Sequence, residues 1–220
     1  GCSSMISFAP TVFPKGTNFS ETWKLCTSLS VFPSIVAPLA MTYKSAWGDT
    51  TSLRSFPHIN FPLATDFSGA WGGSGIDTLP STIMFPKGEN FSTAFSITPN
   101  IKVFPALPFP EAINMHFTFR KSGIQELKDI QIPKVTDMRG FFYEVTYDTK
   151  MADLNTPALL QASGFFSKAR ITTPGMLDTG KVQDFSTFMA ISQVTSMPAY
   201  DFSSGTIFRS AWDRAGGLTN

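Results

Sequence analysis

Between Phe13 and Pro33, and again between Phe85 and Pro105, the chain repeats itself at a constant offset of 72. FPKGTNFSETWKLCTSLSVFP returns as FPKGENFSTAFSITPNIKVFP, with ten of 21 positions identical. Phe-Pro-Lys-Gly, Asn-Phe-Ser and Val-Phe-Pro fall in step without a gap, so the match describes one structural unit used twice. It constrains architecture before it says anything of chemistry.

Within the unit, proline fixes φ at the second position of a turn and glycine suits the fourth. The residue before proline is pushed into extended conformation, so a strand ends there and another begins. From Phe19 the odd positions read Phe19, Trp23, Leu25, Leu29 and Val31, against Ser20, Thr22, Lys24, Cys26, Ser28 and Ser30. The second copy keeps that parity with Phe91, Phe95, Ile97, Ile101 and Val103. Period two predicts half-buried antiparallel strands. It returns in Ile113, Met115, Phe117 and Phe119 and in Phe141, Tyr143, Val145 and Tyr147, with further strands expected over Ser186 to Val194 and Thr206 to Trp212. One segment reads as a short helix, with Asn155 or Thr156 as cap, Pro157 first, Ala158 to Ala162 as body and Gly164 as stop.

Many short strands, abundant turn residues and almost no helical periodicity predict an all-β protein, an antiparallel β-sandwich of jelly-roll type with one or two short helices. The 220 residues form one such domain or two smaller β units, 1–110 and 111–220. All seven Phe-Pro dipeptides lie before Glu111, so the chain changes character there. Gly69 to Gly75, rich in glycine, reads as part of a long loop from Phe67 to Pro80.

Charged residues make up 15% of the chain, against about 25% in ordinary soluble domains. Phenylalanine alone supplies 22 residues, which suggests a surface that another subunit covers. A net charge of +1 without terminal Lys/Arg runs leaves capture of nucleic acid by a basic tail unsupported. The longest apolar stretch, Ile35 to Met41, is short and broken by Pro38, so no membrane span is expected.

The chemical signatures each carry a plainer reading. Asp178-Thr179-Gly180 imitates one half of an aspartic-protease dyad, but no second Asp-Thr/Ser-Gly completes it and a turn is expected. His58 and His116 are the only histidines, and neither has a Cys, Asp or Glu at ligand spacing. Gly73-Ser74-Gly75 lacks the spacing of a nucleophile elbow. The expectation is therefore no enzyme: no catalytic residue, no metal ligand and no cofactor. Asn18-Phe19-Ser20 and Asn90-Phe91-Ser92 fit a glycosylation acceptor, with a structural Asn at a turn as the alternative. Trp23, Trp47, Trp71 and Trp212 read as core rather than as a sugar platform. Cys2 and Cys26 are the only cysteines, and their number leaves open whether they bond. Gly1-Cys2-Ser3-Ser4 is similar to the end of a bacterial lipobox.

An N-terminal Gly1 and the segment Ser55-Phe56-Pro57-His58, following the extended stretch Thr51 to Arg54, carry one further likeness. With the neutral Phe/Pro/Ser/Thr-rich composition they resemble the coat proteins of picorna-like viruses, in particular the plant comovirus and cheravirus group. The resemblance implies a jelly roll cut from a polyprotein by a protease that favours glycine after the cut. It implies a capsid subunit of the virion, assembling with copies or sister coat proteins around RNA held by weak contacts that do not read sequence. The alternative is an extracellular or lipid-anchored β-sandwich binding module with a tandem repeat.

Overall fold

The computed structural model describes residues 1–217 and places them in a parallel solenoid, not a jelly roll. Asn18 pairs with Thr42, Thr42 with Asp66 and Asp66 with Asn90, and the ladder continues through Asn114, Asp137, Gln161, Asp184 and Ile207. Along this ladder the period is therefore 24 through Asn114 and varies between 23 and 24 beyond it. Every pairing is parallel, because each coil runs in the direction of the one before. The offset of 72 is three coils, so the repeat visible in the sequence is a multiple of the structural one.

Three ladders run along the solenoid. Ladder A is the one just traced. Ladder B links Val31, Ser55 and Thr78 and then the strands β3 (Val103–Phe104), β4 (Glu126–Leu127) and β5 (Lys150–Met151). Ladder C holds β1 (Thr11–Val12) and β2 (Ile35–Val36), followed by Asn60 with Met84, Pro108 with Gln131 and Leu154 with Leu177. Strands are two residues long, and the described residues contain no helix. Pro157 and Ala158 lie in a turn closed from Leu159 N–H to Thr156 O at 3.0 Å, while Gln161 joins ladder A, which displaces the expected helix.

The antiparallel reading failed at particular residues. Phe19, Trp23 and Leu29 are buried as period two required, but Leu25 and Val31 are exposed and Cys26 is buried. The chain is not extended there. Thr22, Lys24 and Cys26 donate back to the carbonyls three residues earlier, whereas Phe19, Glu21, Trp23 and Leu25 donate to the next coil at Thr42, Lys44, Ala46 and Gly48. Glu21 and Leu25 have φ of 57° and 60°. Among the described residues every left-handed φ recurs at one of these two places in a coil. Fourteen are not glycine and each costs roughly 1–2 kcal/mol, which is offset by satisfying every second N–H across the ladder. Inward positions then follow spacings of four and three, as at Phe19, Trp23, Cys26, Leu29 and Phe32. The expected strands over 186–194 and 206–212 are coils of the same kind, and Gly69 to Gly75 is no loop but the third coil, with Trp71 fully buried.

The core is one aromatic stack. Trp23, Trp47, Trp71 and Phe95 lie ring on ring, with centroids 5.6, 5.1 and 5.1 Å apart. Beside them Phe19, Tyr43, Phe67 and Phe91 do the same. Six Phe-Pro phenylalanines form two further columns, Phe32, Phe56 and Phe104 after ladder B and Phe61, Phe85 and Phe109 after ladder C. Of all 22 phenylalanines only Phe208 is exposed, so the phenylalanine content fills the interior rather than a surface awaiting partners.

The change of character near residue 111 has an internal cause. Coils with Ala46, Ala70 and Ala94 in one buried column carry Phe61, Phe85 and Phe109 in another. Later coils reverse this, with Phe141 and Phe165 in the first and Thr156 and Thr179 in the second. Between these coils aromatic volume moves from one column to the other, as close packing demands. The ladders pass 110–111 without a break, through Asn90 to Asn114 and Pro108 to Gln131.

Candidate binding face

Six of the nine ladder A positions open their coil with an Asx turn. Asn18 Oδ1 accepts the N–H of Ser20 at 2.8 Å and Asn90 Oδ1 that of Ser92 at 3.1 Å, and Asp66, Asn114, Asp137 and Asp184 do likewise. The two glycosylation-like triplets are thus the same turn three coils apart. The two left-handed positions that follow turn their side chains outward, so this face is free to vary.

It varies in two stretches. In the second to fourth coils most of the outward residues are small, with Asp49 and Ile97 at the edges. Gly48, Gly69, Gly72, Gly73, Thr93 and Ser96 floor a shallow groove of about 240 Å³. In the next three coils the same columns rise into an aromatic and basic cluster. The half-buried Phe117 ring rests over Gly140, where a Cβ would collide with it, and meets Tyr143 edge-on at 5.6 Å. His116 lies against Phe117 at 4.1 Å, the Arg120 guanidinium 5.8 Å from that ring, and Lys168 Nζ 5.2 Å from the ring of Tyr143. Glu144 joins Lys121 and Lys168 at 3.0 Å each. Burial works to raise the Glu144 carboxyl, but the hydrogen bonds from both lysines outweigh it and hold it below the usual range. Burial pushes the His116 imidazole down, Asp137 opposing and Arg139 assisting. Arg139, paired with Asp137 at 2.7 Å, also borders a cavity of about 490 Å³ with Gln161, Lys181, Gln183 and Asp184.

The residues weighed for chemistry fall apart in space or turn inward. Asp178 takes a turn role, accepting the N–H of Gly180 at 3.3 Å and donating its own to Thr156 Oγ1 at 3.0 Å. His58 pairs with Thr82 Oγ1 at 3.0 Å in the second coil, while His116 stands in the fifth. Ser74 is buried. Phe56 of the coat-like Phe-Pro-His segment packs between Phe32 and Trp71 at 5.3 Å from each. Among the described residues no group of three or more His, Cys, Asp or Glu is placed to hold a metal, and no helix is long and apolar enough to cross a membrane.

The alternation over 113–119 and 141–147 predicts an inward strand face for Phe117 and Tyr143, whereas both stand half-buried in the outward columns. The available signal was the spacing of Trp23, Trp47 and Trp71, which sets the period and puts Phe117 in the column of Ser45, Gly69 and Thr93. No protein-family model, curated protein or solved structure matches this chain.

Proposed function

We propose that this chain is a non-catalytic binding module whose ladder A face receives a protein partner. The observation that carries the reading is the Phe117–Tyr143 contact, two half-buried aromatic rings that meet edge-on in the outward column between Arg120 and Lys168, in a fold that buries most of its rings. Phenylalanine, tyrosine and arginine are the types enriched where protein partners meet, and a few such anchors supply most of an interface's energy. Arg120 and Arg139 flank the rings, and the small-residue floor beside them lets a partner backbone approach closely. The coat-subunit reading took its mechanism from a jelly-roll wedge, which a solenoid does not offer. The repeat-based binding reading keeps its support once the sandwich is replaced by coils.

The test places a photo-crosslinking phenylalanine analogue at position 117 and, separately, at Lys128 on ladder B. A partner recovered through position 117 alone is then titrated against a Phe117→Ser/Tyr143→Ser double variant. Loss of at least about 30-fold in affinity, with an unchanged melting curve, is expected for an anchor pair worth about 2 kcal/mol. Equal crosslinking at both positions, or binding indifferent to the two rings, overturns the reading.

A further inference from the structure

The first residues follow the columns of the coil behind them. Thr11 pairs with Ile35 in ladder C, and that register sets Cys2 beside Cys26, Met5 beside Leu29 and Phe8 beside Phe32. The Cys2 backbone N–H donates to Cys26 Sγ at 3.1 Å, and Ser30 N–H donates to Ile6 O at 3.0 Å. Phe8 departs from its column in one respect. Phe32 and Phe56 are parallel to within 6°, but Phe8 stands at 80° to Phe32 and lies within 7° of parallel over Trp23, at 5.9 Å. It has turned to serve as the lid of the tryptophan stack.

We propose that Cys2 and Cys26 form a redox-controlled disulfide that fastens this lid to the first full coil. Neighbouring ladder residues lie about 4.8 Å apart, inside the window of roughly 4.4–6.8 Å between Cα atoms that a disulfide requires. Cys2 is exposed and so open to an oxidant, and the buried Cys26 holds its Sγ 3.1 Å from the Cys2 backbone nitrogen, which sets the second sulfur beside the residue that carries the first. The Cys2 thiolate attacks a small-molecule disulfide and releases one thiol. The Cys26 thiolate then attacks the Cys2 sulfur of the mixed disulfide and releases the second. Two S–H bonds are lost and one S–S bond is formed, and the small disulfide takes up the two electrons and two protons. A buried cysteine alone is an ordinary small apolar core residue. What marks this one is a second cysteine in register, touching its sulfur through the backbone.

The inference is independent of the binding face. The full chain is equilibrated in glutathione buffers of graded oxidising strength, trapped with an alkylating agent and weighed. Expected is a monomer lighter by two hydrogens and closed to alkylation, whose amides over residues 1–8 exchange at least tenfold more slowly than in the reduced form. Cys2→Ser, altering only the exposed partner, should abolish both changes while keeping the fold. Thiols that stay alkylatable under conditions that oxidise a control dithiol overturn the proposal, as does a bond formed only between two molecules.

Discussion

The indole of Trp47 lies 5.1 Å from that of Trp71 and within 13° of parallel, although the two belong to successive coils. That stacking is the pitch of the solenoid expressed in side chains. Each ring covers its predecessor and is covered by its successor, as expected of repeats that cannot bury their own apolar faces singly.

Removing a ring from the middle of the stack should therefore cost far more than removing one from its end. Trp47→Ala is expected to lose about 3–5 kcal/mol. Trp212→Ala, at the column's exposed end, should lose under about 2 kcal/mol by the same cavity reasoning. Urea unfolding of both variants checks this; equal losses would mean that the rings do not act as a stack.

Gly140 and Gly164 share the same left-handed column, with φ of 59° and 65°, but only Gly140 lies beneath the Phe117 ring. Alanine at Gly164 should cost only the backbone strain, about 1–2 kcal/mol. Alanine at Gly140 should cost more and also dislodge Phe117, which the aromatic proton shifts of Phe117 and Tyr143 would report. Identical effects at the two glycines would show that the ring has no fixed seat.

The exchange of aromatic volume between columns predicts a rescue. Phe188 and Phe202, one in each column of a single coil, are 6.4 Å apart, so the columns are neighbours. Phe109→Thr should lose roughly 3–5 kcal/mol as a cavity, and Ala94→Phe roughly 1–3 kcal/mol by overpacking. Together they recreate the pattern of Phe141 with Thr156. The double variant should recover at least about 2 kcal/mol of the summed loss, and strict additivity would refute the compensation.

His116 predicts a pH dependence. Burial depresses its pKa, so the unfolded chain binds the proton more readily and stability rises with pH. The dependence should lie below about pH 6.5, the unfolded value, with stability falling as the medium is acidified from there. Denaturation midpoints followed from about pH 7 to about pH 5 should fall in the parent chain and stay flatter in His116→Gln. A parent chain that gains stability over that interval would contradict the sign.

The residues read in order already mark a repeated, turn-rich, almost helix-free chain. Trp23, Trp47 and Trp71 went to the core and Asn18 and Asn90 to turns as expected, because turn chemistry and aromatic burial are local properties, whereas Trp212, expected in the core with them, is exposed. That the period is 23 to 24 rather than 72, and that the pairing is parallel, emerged with the folded coils. Residues such as Glu21, Leu25 and Ile97 accept a left-handed backbone that their own preferences resist, and the compensating hydrogen bonds come from the neighbouring coil. Strain relieved by partners a whole coil away leaves no local trace. Phe117 and Phe119 therefore look alike in the sequence, yet one came to the surface over Gly140 and the other entered the stack.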